Sequence, residues 1–228
     1  MANPSLIGKF FKRIHPESIP WPGSVLYNLI SSTAIFQRHY ELIADDILNY
    51  CKEGSLLDIG TGPGWLLLKL HQKVPQMRLV GIDSSSAMVT KARQNLAAAD
   101  AAQSIEFKEG NARNIPFPDG CFDIVVSTGS IHHWKEPTKG LNEAWRVLKI
   151  GGFALIYDLV SDTPQSVLND CRRQFGKLRT TLFWLHSFEE PFYTRQNFEG
   201  LVKSTLFKGC RTKFVGLLYC LILKKPTD

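Results

Sequence analysis

The chain has 228 residues, of which 44% are hydrophobic and 21% charged, and this length can bury a full core as one globular domain. No apolar run approaches the roughly 20 residues that cross a bilayer, and Phe10–Phe11 before Lys12–Arg13 is the wrong order for a secretory signal, so neither is expected. The five cysteines include no Cys-x-x-Cys pair and the basic residues behind the net charge of +6 are scattered, which predicts free thiols in the cytoplasm, no metal site and a solvated basic surface.

The first predicted elements lead to a glycine-rich turn. Residues 1–35 mix prolines with aromatic residues and predict a helical cap over the main body. Apolar residues at helical spacing predict a helix over 35–51, and Gly54 lies just beyond its end. A short apolar run then predicts a buried strand over 56–59, which is followed by three alternating glycines and by a second helix that begins at Trp65.

Strand and helix patterns alternate from there to residue 157. The predicted strands cover 77–82, 105–108, 122–127 and 153–157, and predicted helices cover 86–99 and 137–148, with Gly151–Gly152 closing the second helix. A helix with an aromatic segment (161–193) and another helix (194–202) come next. Two strands then lie within 208–224 with a turn at Gly216, and strands joined this tightly are antiparallel.

This alternation predicts a parallel sheet with helices on both faces and right-handed crossovers. We expect one domain, 1–228, because no internal repeat or low-complexity linker interrupts the chain. The predicted parts of this domain are an N-terminal helical cap (1–35), a ligand-binding core (36–160), a lid-like insertion (161–193), and a closing helix and strand pair (194–228).

The glycine-rich turn predicts a nucleotide site, and its spacing restricts the class of nucleotide. Glycines let the backbone approach a ligand closely, and the N–H groups at the helix start face that ligand. Gly60-x-Gly62-x-Gly64 departs from the dinucleotide pattern Gly-x-Gly-x-x-Gly because Trp65 stands where the third glycine belongs, and no phosphate-loop Gly-Lys-Ser/Thr follows. Asp58 would repel a pyrophosphate and attract an ammonium group, so we expect a ligand with a cation at this end.

Five motifs in order resemble those of class I S-adenosylmethionine-dependent methyltransferases. They are Asp-Ile-Gly-Thr-Gly-Pro-Gly (58–64), Gly-Ile-Asp-Ser-Ser (81–85), Gly-Asn-Ala-Arg-Asn-Ile-Pro-Phe (110–117), Phe-Asp-Ile-Val-Val-Ser (122–127) and Glu-Ala-Trp-Arg-Val-Leu-Lys-Ile-Gly-Gly (143–152). The resemblance covers about residues 36–160 and points to the small-molecule branch, which includes quinone-biosynthesis C-methyltransferases. It implies an α/β fold: a Rossmann-like, doubly wound sheet of seven strands, mostly parallel with an antiparallel C-terminal strand, and helices on both faces.

The resemblance also implies which residues bind S-adenosyl-L-methionine and its product, S-adenosyl-L-homocysteine. Asp58 would lie near the ammonium end of the methionine portion, unless it only caps the next helix, and Asp83 would bind both ribose hydroxyls, unless it is only an N-cap. Met88 is either an adenine contact or a core residue. Asn111 departs from the usual Asp on the adenine side. The implied cofactor-binding set is Asp58, Gly60, Thr61, Gly62, Gly64, Asp83, Ser84, Met88, Asn111, Ala112, Ser127 and Thr128.

The segment Ser-Ile-His-His-Trp (130–134) contains the catalytic candidates. Methyl transfer from a sulfonium requires alignment of the reactants, plus a base where the acceptor carries a proton. His132 and His133 are candidates because a neutral imidazole is the natural base near pH 7. Paired histidines at this place also serve as packing residues in the family, and Trp134 is expected to pack against the following helix.

We expect a small-molecule methyl acceptor, and the aromatic residues of 1–35 and 161–193 suit a hydrophobic or planar one. A nucleic-acid methyltransferase fits the positive charge, but Ser127-Thr-Gly-Ser130 lacks the Asn/Asp-Pro-Pro-Tyr/Phe motif of enzymes that act on exocyclic amines, so nucleic acid is not the expected partner. An S-adenosylmethionine-binding protein without catalysis is a further alternative, and the glycine spacing disfavours a nicotinamide oxidoreductase. The sequence does not indicate an oligomeric state.

Overall fold

The structure is a computed structural model that describes most of the chain. The predicted N-terminal cap lies outside the described residues except for its last few positions, and so does most of the aromatic segment of the predicted lid. The described residues are 31, 33–99, 105–178, 180–181 and 192–227.

Seven strands form one sheet at the centre of the molecule. They are β1 (Ser55–Ile59), β2 (Arg78–Asp83), β3 (Ile105–Glu109), β4 (Phe122–Thr128), β5 (Leu148–Asp158), β6 (Arg211–Val215) and β7 (Leu218–Lys224). The order is β3-β2-β1-β4-β5-β7-β6, and all neighbours are parallel except that β7 runs antiparallel to both β5 and β6. The predicted seven-stranded, mostly parallel sheet with an antiparallel C-terminal strand is confirmed.

Helices cover both faces of this sheet, as the sequence predicts. In the described part of the chain they are α1 (Ala34–Ile47), α2 (Trp65–Lys73), α3 (Ser86–Ala98), α4 (Pro137–Val147), α5 (Gln165–Phe175) and α6 (Arg195–Val202). The neighbouring strand residues Leu56 and Leu57 belong to two different hydrophobic clusters. The first cluster includes buried residues of α1, α2 and α3, and the second includes buried residues of α4 and α6. Successive strand residues point to opposite faces, so each face has its own layer of helices.

The strand order creates a crevice at one edge of the sheet. From β1 the chain adds β2 and β3 on one side, and it then crosses to place β4 and β5 on the other. The carboxyl ends of β1 and β4 therefore lie side by side where the direction of winding changes, and in open α/β sheets ligands bind at this point. Among the helices of the described residues, none has the length and apolar character needed to cross a membrane.

The predicted role of one glycine pair is wrong. The sequence predicts that the helix ends at about Leu148 and that Gly151–Gly152 closes it; α4 does end at Val147, but both glycines lie within β5. The register between β4 and β5 shifts there, and Gly151 has a φ of +82°, which glycine adopts without strain. A Cβ on Gly152 would lie 2.7 Å from the Asp123 carbonyl oxygen. Both glycines are thus needed for the irregular part of β5. Gly151 has a left-handed backbone, and Gly152 lies too close to neighbouring backbone atoms for a side chain.

Candidate functional site

The glycine-rich turn between β1 and α2 forms one wall of the crevice. Gly60, Gly62 and Gly64 have φ values of +76°, +52° and +80°, so the predicted glycines occupy a backbone conformation that other residues adopt only with strain. The amides of Gly60 and Thr61 donate to the Ile82 carbonyl at 2.8 and 3.0 Å, which fastens the turn to β2. A Cβ on Gly60 would collide with the Ser130 side chain. The turn is therefore packed tightly against the segment after β4.

Asp58 lies beneath this turn and is 2% exposed. The Asp58 Oδ1 atom has no hydrogen-bond partner among the described residues. Asp58 is not one of the residues that line the crevice. Burial raises the pKa of Asp58 to about 7, the Thr61 hydroxyl partly opposes this effect, and the negative charge of Asp83 adds to it. Two carboxylates thus lie close together with little solvent, an arrangement that a cationic ligand nearby would stabilise.

Asp83, at the end of β2, lines the crevice. Its Oδ2 accepts a hydrogen bond from the Gly62 amide and its Oδ1 accepts one from the Ser85 amide, both at 2.9 Å. Burial raises the pKa of this carboxyl, and the two amide donors lower it. Ser85, rather than Asp83, is the N-cap of α3, because its hydroxyl accepts from the Met88 amide. Each Asp83 oxygen retains acceptor capacity for a ligand hydroxyl.

The loop after β3 forms the opposite wall, where Asn111, Ala112 and Arg113 line the crevice. The Asn111 side-chain oxygen accepts from the Arg113 amide at 2.8 Å, so this oxygen shapes its own loop. The Asn111 Nδ2 group then provides the donor side of the amide, which complements the acceptor N1 of an adenine ring. The Arg113 guanidinium also donates to the Glu136 carboxylate at 3.0 Å. Arg113 was not among the residues predicted to line the site.

An ion pair on α4 holds this loop in place. The Ile115 amide donates to Glu143 at 2.8 Å, and the guanidinium of Arg146 donates to the carbonyls of Ile115 and Phe117 at 2.9 and 2.8 Å. Arg146 also makes two bonds of 2.8 Å to Glu143, which raise the pKa of Arg146 and keep it charged. The Glu–Ala–Trp–Arg motif of α4 therefore supports the adenine-side loop from behind.

The remaining predicted residues divide between the lining and its support. Ser84 and Met88 line the crevice. Ser127 does not, because it is fully buried and its hydroxyl donates to the Ile59 carbonyl at 2.8 Å, joining β4 to β1. Thr61, Gly64 and Thr128 are also outside the lining. Lining residues that the sequence analysis missed are Ile59, Gly110, Arg113, Gly129, Ser130 and Trp134.

The two candidate histidines occupy different environments within a 3-10 turn, Ile131–His133. His133 lines the crevice, whereas His132 lies outside the lining and is 5% exposed. The His132 Nδ1 lies 2.8 Å from Oδ2 of Asp158, a residue that the sequence analysis did not select. Asp158 is the last residue of β5 and is 1% exposed. Its position, an acidic residue at the carboxyl end of a predicted strand, is the sequence signal that could have identified it as a site residue.

The residues present fit S-adenosylmethionine. The crevice is open to solvent and contains about 730 Å³ of space when the open part is included. The unpartnered Oδ1 of Asp58 and the carboxylate of Asp83 provide negative charge, and the glycine turn provides close backbone approach. The glycine turn, Asp83 and the 110–113 loop would hold the methionine, ribose and adenine parts in that order. In the described residues, no group of three or more potential ligands could hold a metal ion.

Comparisons with known proteins agree with this geometry. Residues 57–156 match the sequence family described as "Methyltransferase domain". The chain is 34% identical over 127 residues to a chloroplastic 2-methyl-6-phytyl-1,4-hydroquinone methyltransferase of Oryza sativa, covering 54% of the chain and 35% of the relative. It is 33% identical over 132 residues to a ubiquinone/menaquinone biosynthesis C-methyltransferase of Geotalea daltonii, covering 58% and 55%. The chain thus spans about a third to about half of the length of these relatives.

Solved structures share the fold over nearly the whole chain. A candidate S-adenosyl-L-methionine-dependent methyltransferase of Methanococcus maripaludis superposes with a TM-score of 0.71 at 25% identity, covering 90% of this chain and 93% of the other. An S-adenosylmethionine-dependent methyltransferase of Aquifex aeolicus superposes with a TM-score of 0.61 at 18% identity, covering 99% of this chain and 100% of the other. The second likeness concerns the fold alone. The match over 57–156 and the Methanococcus structure confirm the resemblance, and both structures confirm the predicted fold.

Proposed function

We propose that the protein, whose residues 57–156 match the sequence family described as "Methyltransferase domain", transfers a methyl group from S-adenosylmethionine to a small aromatic acceptor that carries a hydroxyl group. The observation that carries the proposal is the crevice in which the glycine turn and Asp83 come together above the buried Asp58. When bound there, S-adenosylmethionine supplies an electrophilic methyl group on a sulfonium. The chain's own residues bind and orient it, because in-line displacement depends chiefly on alignment.

Two facts support an aromatic acceptor. Aromatic side chains lie in and near the crevice: Trp134 lines it, and the ring centroid of Phe192 is 4.1 Å from that of His132, the neighbour of the lining residue His133. The relatives from Oryza sativa and Deinococcus radiodurans bear the names of a hydroquinone and a demethylmenaquinone as acceptors. We therefore propose a prenylated hydroquinone, methylated on a ring carbon, as the acceptor class. The five free cysteines are consistent with a reducing compartment such as the cytoplasm.

The proposal is tested first by titration calorimetry with S-adenosylmethionine, S-adenosylhomocysteine and NADH. We expect the two adenosyl ligands to bind and NADH to give no heat of binding. The protein is then incubated with S-adenosylmethionine carrying a labelled methyl group and with 2-geranyl-1,4-naphthoquinone kept reduced by dithionite. Mass spectrometry should find the labelled methyl group on the ring carbon. Binding without any transfer to this acceptor, in the reduced state, contradicts the proposed acceptor class.

A further inference from the structure

The backbone N–H groups of the glycine turn are already used inside the protein. In residues 60–64 every N–H group donates to a protein oxygen, and the proline at position 63 has none. The acceptors are the carbonyls of Ile82 and Thr61 and the carboxylate of Asp83, at distances of 2.8–3.0 Å. The next helix, α2, begins at Trp65, which does not line the crevice. The turn therefore has no unused N–H group for an anionic part of a ligand.

Ser130 provides a hydroxyl group on the same side of the crevice. It follows β4, lines the crevice, and lies so close to Gly60 that a Cβ on that glycine would collide with its side chain. The Ser130 Oγ accepts a hydrogen bond from the indole N–H of Trp134 at 3.0 Å. Its own hydrogen is donated to no residue in the part of the chain that the structure describes. Since a hydroxyl can both accept and donate, Ser130 retains its donor for a ligand.

Trp134 is held in a position from which it orients this hydroxyl. Its backbone amide donates to the Ile131 carbonyl at 3.0 Å, which closes the 3-10 turn. Its ring packs against Gly140 of α4, where a Cβ would lie 2.6 Å from the ring. With the ring fixed in this way, the indole N–H is directed at the Ser130 Oγ. A hydroxyl that accepts a hydrogen bond is polarised and becomes a stronger donor, so Trp134 both orients and strengthens the Ser130 donor.

The charges around the crevice indicate which part of a ligand this donor suits. Asp58 and Asp83 place negative charge beside the glycine turn, which favours an ammonium group there. An amino-acid end also carries a carboxylate, which accepts hydrogen bonds only and therefore needs donors. Arg113 is a charged donor of the lining, but it belongs to the opposite wall and is paired with Glu136 at 3.0 Å. The Ser130 hydroxyl is a donor of the kind that a carboxylate beside the glycine turn requires.

We propose that Ser130 binds the carboxylate of the methionine part of S-adenosylmethionine and that Trp134 positions the Ser130 hydroxyl. The inference rests on the proposed function and deepens it, because it assigns one end of the methyl donor to the turn after β4. Asp58 and Ser130 then share the two charges of the amino-acid end, the buried carboxylate stabilising the ammonium group and the hydroxyl donating to the carboxylate. The glycine at position 60 has a second role, since any side chain there would displace the Ser130 hydroxyl.

The test uses the full chain with three variants: Ser130→Ala, Trp134→Phe, and Ser204→Ala as a matched control. Ser204 is an exposed serine after α6 whose hydroxyl donates to the Leu201 carbonyl at 3.2 Å. Calorimetry measures the affinity of each protein for S-adenosylhomocysteine, for its decarboxylated analogue S-adenosyl-3-thiopropylamine, and for its 2′,3′-dideoxy analogue. The first analogue lacks the proposed partner of Ser130, whereas the second lacks only the ribose hydroxyls. The binding stoichiometry identifies any loss of folded protein.

We expect Ser130→Ala to weaken binding of S-adenosylhomocysteine about 10–100-fold, which corresponds to a hydrogen bond with a charged group. Binding of the decarboxylated analogue should be unchanged, and the dideoxy analogue, which retains the carboxylate, should lose as much affinity as S-adenosylhomocysteine. Trp134→Phe keeps an aromatic ring but removes the N–H donor, so it should weaken binding of the carboxylated ligand more than that of the decarboxylated one. Ser204→Ala should change none of these affinities.

Two results overturn the inference and leave the proposed function intact. In Ser130→Ala, an unchanged affinity for S-adenosylhomocysteine, or an equal loss for the ligands with and without the carboxylate, shows that the hydroxyl does not bind that group. In Trp134→Phe, an equal loss for the two ligands shows that the indole does not position the hydroxyl. A wild-type protein that binds neither S-adenosylmethionine nor S-adenosylhomocysteine overturns the proposed function, and this inference with it.

Discussion

The assignment of Asp83 to the ribose is the sharpest test of the cofactor site. The carboxylate already accepts two backbone hydrogen bonds of 2.9 Å, from Gly62 and Ser85, so it has a structural role besides any contact with a ligand. Asp83→Asn keeps the shape but turns one acceptor oxygen into an NH₂ group, which then faces a backbone donor. The loss of that bond should lower the free energy of unfolding by about 1–3 kcal/mol.

The effect on cofactor binding is separable from this structural effect. A hydrogen bond to a charged acceptor contributes about 1.5–3 kcal/mol, so Asp83→Asn should weaken S-adenosylhomocysteine binding by about 2 kcal/mol, or about 30-fold. A loss of binding alone does not identify the contact, because a distorted glycine turn would also weaken it. The contact is identified by a cycle in which the ligand is also changed, from S-adenosylhomocysteine to its 2′,3′-dideoxy analogue.

Calorimetry on wild type and variant with both ligands gives the four affinities of this cycle. If Asp83 binds the ribose hydroxyls, removing them should weaken binding to the wild type much more than to the variant, by a coupling of about 2 kcal/mol. Asp123→Asn, at the opposite edge of the sheet, should show no coupling. Losses that simply add would refute the ribose assignment and leave Asp83 with its backbone role only.

Three further perturbations test the turn, the buried acid and the loop support. Gly60→Ala places a Cβ against Ser130 at a φ of +76° and should lower the free energy of unfolding by at least about 2 kcal/mol, whereas Gly200→Ala, in open space on α6, should raise it by up to about 1 kcal/mol in a urea titration. The pKa of Asp58 is about 7 in the folded protein and near 3.8 when unfolded, so between these values only the folded state holds the proton and its stability should fall as pH rises from 4 to 7. Asp58→Asn should abolish this part of the pH dependence, and an unchanged melting profile against pH would contradict the buried-acid argument. Arg146→Met should lower both the free energy of unfolding and the S-adenosylmethionine affinity, with Arg146→Lys intermediate, and an unchanged affinity would show that the α4 support does not shape the site.

Much of the site could be predicted because its signals are local. Gly60, Gly62 and Gly64 are recognisable in sequence since a left-handed backbone favours glycine at those places, and the structure has all three there. Asp83 ends a strand whose apolar run is visible, and it lines the crevice. Its proposed contact with ribose stays a prediction.

Other parts of the site could not be predicted because they depend on how distant segments pack. Asp58 and Ser127 are each the last residue but one of a strand that leads to the crevice, yet neither lines it. Asp58 is buried, and the Ser127 hydroxyl donates to the Ile59 carbonyl of β1. Side-chain direction alternates along a strand, so a register of one residue decides whether such a group faces ligand or core. The division of the predicted chain into cap, core and lid stays a prediction as well.

By itself, the sequence determined the alternation of strands and helices and the glycine turn, because periodicity and backbone conformation are encoded within a few neighbouring residues. The methyl donor was implied by the family resemblance of the motifs and stays a proposal. Only the tertiary structure decided which of two adjacent histidines meets an acid, since His132 and Asp158 lie 26 positions apart and are joined by the pairing of β4 with β5. The tertiary structure likewise decided that Gly151 and Gly152 lie in an irregular part of β5, because the register of β5 against β4 exists only in the folded sheet. Contacts of this kind depend on the arrangement of whole elements, and no local pattern specifies them.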